Sequence, residues 1–189
     1  MLQTATASSI SINQSSFTGL ADYQPTGFGQ SFTANGKYSI VAVDLYISSS
    51  AGGSDATLRL YDFNSSLSTL GTNVLSSGTF LESALSPAAA WIRVELANPV
   101  PAILGSNFAF TVIAKDPGGS STGWNNYGFN PNNVYSGGSA FGGASGSVNQ
   151  GTTDLAFRIV TVPEPASAYL ISIASLALLT QRSRTSRGS

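Results

Sequence analysis

Nine acidic side chains, with neither histidine nor cysteine, bound the chemistry that this 189-residue chain can do. Without imidazole or thiol there is no Ser-His-Asp or Cys-His nucleophile and no thiolate or imidazole zinc site. Two carboxylate chemistries remain: a glycosidase, which needs two carboxyl groups flanking one bond, and a calcium site, which needs several convergent oxygens. Neither has a motif. Glu82 and Glu95 are the glutamates before residue 161, and Glu95 falls on the outward face of a strand pattern, where a solvated role is expected. Asp62 and Asn64 could begin a calcium loop, but no dense Asp-x-Asp run follows, so a turn is expected there and at Asp116, before Pro117-Gly118. The residues therefore point to no catalytic centre, metal or cofactor, with a glycoside hydrolase as the minor alternative.

Sugar binding is the other chemistry with candidate residues. Residues 117–151 hold ten of the 20 glycines together with Trp124, Tyr127, Phe129, Tyr135 and Phe141. A glycan site needs flat aromatic faces to stack on sugar C–H groups and amides to bond hydroxyls. Trp124, Asn125, Asn126 and Tyr127 supply both side by side, and Tyr135 follows. The competing expectation is structural: the aromatics pack back on the body of the protein, and Gly and Asn turn the chain through left-handed conformations.

Charge is unevenly placed. Residues 1–161 carry five basic and eight acidic groups, whereas Arg182, Arg184 and Arg187 crowd the last eight residues, with no acid after Glu164. They follow the most apolar run in the chain, 166–180, whose fifteen residues as a helix would reach about 22 Å, against a bilayer core of roughly 30 Å. Pro163, Glu164 and Pro165 block extension upstream, so insertion would be marginal and suited to a transient segment. A net charge of −1 argues against nucleic acid, which needs a basic patch.

Val162-Pro163-Glu164-Pro165, the apolar run 166–180 and the Arg-rich end 181–189 together resemble the PEP-CTERM sorting signal of Gram-negative bacteria. The resemblance covers residues 162–189. It implies export, a transient inner-membrane intermediate held by 166–180, and cleavage near Pro-Glu-Pro by an exosortase-type transpeptidase. Arg182, Arg184 and Arg187 would act as the cytoplasmic stop, and Val162 to Pro165 as recognition residues of a substrate. It implies association with the cell surface or exopolysaccharide matrix. An exported chain is expected to begin with a basic and then apolar leader; none is visible ahead of Lys37, so a start placed too far downstream is expected.

The elements that must carry these residues are strands. Apolar residues recur with period two between Gly, Asn, Ser and Pro punctuation. Over Tyr38 to Ser48 the apolar face is Val41, Val43, Leu45 and Ile47. Ala56 to Tyr61 puts Leu58 and Leu60 inside, Trp91 to Leu96 puts Ile92, Val94 and Leu96 inside, and Phe108, Phe110 and Val112 align likewise. Leu155, Phe157 and Ile159 oppose an outward Asp154 and Arg158. Weaker strands are expected near Ser8 to Ile12, Gln30 to Thr33 and Val74 to Phe80, and Pro87 makes Leu81 to Trp91 a loop or one turn. This predicts an all-β domain over 1–161: a single antiparallel β-sandwich, jelly-roll-like, of about eight or nine strands. A short hydrophobic helix at 166–180 is expected to follow. Gln30 to Thr33, Val43 to Ile47 and Leu58 to Asp62 loosely resemble the jelly-roll ectodomains found on such sorting tails. The expected function is that of a non-enzymatic exported surface or matrix protein, with a carbohydrate-binding module as the alternative.

Overall fold

The computed structural model describes residues 7–22, 27–49, 55–114, 125–142 and 149–164, and apart from one 3-10 turn at Glu82–Ala84 every regular element there is a strand. In chain order these are β1 (Ser9–Gln14), β2 (Gly19–Asp22), β3 (Phe28–Thr33), β4 (Tyr38–Ser49), β5 (Ala56–Asn64), β6 (Thr69–Phe80) and β7 (Ala90–Ala102). They continue with β8 (Asn107–Ala114), β9 (Asn125–Asn130), β10 (Ala140–Gly142), β11 (Asn149–Gln150), β12 (Asp154–Leu155) and β13 (Phe157–Val162).

Two antiparallel sheets result. The first runs β1-β13-β4-β9-β12, with β2 also on β9 and β7 also on β4; the second runs β11-β10-β3-β8-β5-β6. The pairings nest: β5 with β6, β4 with β7, β3 with β8, and β2 with β9. The chain from β2 to β9 is thus one long hairpin folded over both sheets.

The apolar faces meet in one core. Ile40, Val43, Leu45, Ile47 and Ile159 of the first sheet pack against Phe28, Phe32, Leu58, Leu60 and Val112 of the second. Phe157 ties the layers together, its ring centroid 6.2 Å from Phe32, 5.6 Å from Phe110 and 5.3 Å from Tyr135. Each side chain buried this completely contributes about 1.5–3 kcal/mol relative to exposure. On the outward face of the first sheet Arg93 donates to both carboxylate oxygens of Asp44 across the β4/β7 ladder, at 2.8 and 3.2 Å, and beside them Tyr46 packs on Trp91, whose ring Arg158 covers at 3.7 Å.

The all-β expectation and the two-sheet antiparallel architecture hold, and Leu81 to Trp91 does contain a single turn. The details differ in three ways. There are thirteen strands among the described residues where eight or nine were expected, because β2, β9, β10, β11 and β12 are short or set in Gly/Asn-rich sequence. Ile40, not Val41, is the fully buried member of its pair. A register shift between Ile40 and Ala42 leaves Val41 as one extra residue against consecutive Val160 and Thr161 of β13 and reverses the alternation at that point. Asp154, expected to face outward, is fully buried. It belongs to β12, which pairs with β9, and Ala156 separates it from the β13 ladder. The apolar run 166–180 lies outside the described residues, as do Pro165, Arg182, Arg184 and Arg187.

Candidate functional site

Buried Asp154 organises one end of the molecule. Its Oδ1 accepts from Gln30 Nε2 at 3.1 Å and its Oδ2 from the Tyr135 backbone N–H at 2.7 Å. The Asn133 amide, with its nitrogen turned to the carboxylate, donates to both oxygens at 3.1 and 3.3 Å. Gln30, itself fully buried, accepts from the Leu155 N–H at 2.9 Å. Burial pushes the Asp154 carboxyl above the ordinary aspartate range, and the donors from Tyr135, Gln30 and Val134 pull it partly back.

This network pins the segment 131–139 between β9 and β10. Asn133 turns the chain at φ 44°, a left-handed conformation that asparagine tolerates better than most residues. The segment then runs beside β3: the Ser31 N–H donates to the Ser139 carbonyl at 3.0 Å, and the Ser139 N–H to the Ser31 hydroxyl oxygen at 3.0 Å. At Gly138 a Cβ would collide with the Ser31 carbonyl, so only glycine permits this approach. Tyr135 is half-buried, edge-on to Phe157 at 87°. Burial also raises its phenol pKa, against a hydrogen bond to the Thr33 backbone.

Between that segment and the outward face of the second sheet lies a recess of about 310 Å³, lined among others by Thr33, Asn107, Tyr135, Ser136 and Phe63. A second, more open recess of about 430 Å³ adjoins it and shares Phe63, Ser65 and Asn107. Thr33 and Asn107 are cross-strand partners on β3 and β8, and the Thr33 hydroxyl donates to Asn107 Oδ1 at 2.8 Å. The same hydroxyl lies 3.0 Å from the Gly137 carbonyl, and its one hydrogen serves one acceptor at a time; beyond Thr33, Asn107 Nδ2 has no protein partner among the described residues. Asp62 lines the second recess, and among the described residues it is the one carboxylate in either. Among the described residues, no lysine or arginine lines them.

The structure separates the sugar-binding residues read from the sequence. Tyr127 lies in β9 and is 5% exposed, its ring edge-on to Phe28 at 4.3 Å, so its face is in the core. Asn126 pairs with Asp22 and Ser48 across the neighbouring strands, and Asn125 with Ser49. Trp124 lies outside the described residues. Only Tyr135 reaches the recess. The signal for β9 was present in Asn-Tyr-Gly-Phe-Asn, where aromatic and small or polar residues alternate. Asn107 and Thr33 carry no local motif, since only the β3/β8 register brings them together.

The other residues fall as follows. Glu95 is exposed on β7, and Glu82 lies in the 3-10 turn. Asn64 Oδ1 caps the turn after β5 by accepting from the Leu67 N–H at 3.1 Å, in line with the turn expected there. Val162 ends β13 opposite Ser39, Pro163 is exposed, and Glu164 pairs with Lys37 at 3.1 Å.

No family model and no curated protein matches the chain. Two solved structures share its fold. The clostridial cysteine protease Cwp84 after propeptide cleavage superposes with a TM-score of 0.54 at 11% identity, over 83% of this chain and 40% of that one. The cysteine protease and lectin-like domains of Cwp84, a surface layer associated protein of Clostridium difficile, give 0.52 at 8% identity, over 83% and 36%. The chain therefore spans about two fifths of the length of those chains.

Proposed function

We propose that this chain is a non-enzymatic exported module of the cell surface or extracellular matrix, delivered by its C-terminal segment and associated with exopolysaccharide. The observation that carries the reading is the order of parts after β13: Pro-Glu-Pro, an apolar run, then Arg182, Arg184 and Arg187. In this reading an exosortase-type transpeptidase recognises Val162 to Pro165 while 166–180 sits transiently in the inner membrane. The position of the motif is compatible with processing. β13 is bonded on both sides, by β1 and β4, so cutting beyond Glu164 would leave every strand in place.

The nested pairing of β2 to β9 supports reading the sandwich as a jelly roll. Cwp84 carries cysteine protease and lectin-like domains, and a chain without Cys or His lacks a cysteine protease's nucleophile and base. That favours the lectin-like comparison and a binding role. A displayed carbohydrate-binding module is the second reading, favoured by the uncharged recess beside Asn107. A glycosidase would need a second carboxylate opposite Asp62.

The test is fractionation in a host with an exosortase-type system, comparing the full chain behind an export leader with the variant Pro163→Ala, Glu164→Ala, Pro165→Ala. The parent is expected in the surface or extracellular fraction and the variant in the inner membrane. Identical distribution of the two would overturn the sorting reading.

A further inference from the structure

We propose that the paired recesses on the second sheet form a binding site for a neutral glycan, with Asn107 at its centre. Three observations converge there.

First, the hydrogen-bonding groups are of the kind and in the state that sugar hydroxyls require. The Asn107 amide, held beside the Thr33 hydroxyl, keeps at least one Nδ2 hydrogen for a ligand where the recesses meet. Ser65 and Ser136 are exposed and without protein partners among the described residues. Asn64 spends its Oδ1 on the Leu67 N–H and keeps its Nδ2.

Second, the charge selects. Asp62 offers two acceptor oxygens to a vicinal diol, and among the described residues no cation lines either recess. An acidic sugar would meet Asp62 with nothing to compensate it, whereas a neutral one would donate to it.

Third, the site is preformed. Phe63 lines both recesses as an apolar wall, packed parallel to Phe141 at 6.1 Å, and Asp154 holds the segment that supplies half of the first recess's lining. Little ordering is then lost on binding. Recesses of about 310 and 430 Å³ in series suit adjacent residues of one chain, not a single small ion.

The inference deepens the matrix reading by naming the surface and the class of polysaccharide, and it rests on that reading for where the glycan is met. Binding is measured on the purified protein and sorting in the host, so the two fail separately. The experiment is affinity electrophoresis of the full chain through gels containing neutral polysaccharides (dextran, mannan, galactomannan, mixed-linkage glucan) or acidic ones (alginate, polygalacturonate).

Retardation by at least one neutral polymer and by neither acidic polymer is expected. Asn107→Ala should weaken it about tenfold, close to 1.4 kcal/mol. Ser136→Trp, at an exposed and unbonded position, should abolish it by filling the first recess while the thermal unfolding midpoint stays put. Migration unaffected by every neutral polymer, retardation by the acidic gels alone, or binding that survives both substitutions would overturn the proposal.

Discussion

A single carboxylate shows how far burial changes what a residue does. Asp154 reads as a strand's outward polar residue and proves to be the acceptor that fastens 133 and 135 to the sheet. Its raised pKa means that the folded chain holds the proton more tightly than the unfolded one. Its contribution to stability is therefore full below the unfolded pKa and is lost as pH rises through the folded value. Asp154→Asn removes that dependence and sets an amide N–H against the donors of Gln30 or Tyr135, at a cost of about 1–3 kcal/mol. Denaturant midpoints taken between about pH 4 and pH 7 should show the parent more stable than the variant, with the gap narrowing as pH rises. A gap that widens would contradict the assignment. Leu58, Leu60, Val94 and Phe110 were legible in the sequence because alternation alone decides their side of the sheet. Asp154, Thr33 and Asn107 were not, because their surroundings come from strands far away in the chain.

At the scale of elements, strands with clear alternation were readable, and β2, β9, β10 and β11 were not. β4, β5, β7 and β8 run eight residues or more with clear alternation. β9 hides its alternation among Gly and Asn, so residues expected on a binding loop became an interior strand that seats Tyr127 against Phe28. The extra residue between Ile40 and Ala42 is likewise invisible locally, because it is defined against β13. The segment 131–139 depends on Gly138 lying against the Ser31 carbonyl. Gly138→Val should push it off β3 and break its bonds to Ser31 and Thr33, lowering stability by about 1–3 kcal/mol. Limited proteolysis should then cut within 131–139 while the β5/β8 amides keep their exchange protection. A variant that melts and resists protease like the parent would show that the close approach does not hold the segment.

For the whole molecule, the division of labour follows chain order. The sandwich closes with β13, and the motif begins where Val162 leaves the ladder and Glu164 meets Lys37. That ion pair, with its lysine two-thirds exposed, is worth little to the fold. The order of motif, apolar run and basic end in the tail is a local pattern, whereas the proposed glycan surface required the folded sheets. The measurement that bears most directly on the proposed function is the intact mass of the protein recovered from the surface or extracellular fraction of a host with an exosortase-type system. A mass ending near Pro163 to Pro165, with the full tail restored in the triple alanine variant, is expected. A mature form that still carries residues 166–189 would contradict it.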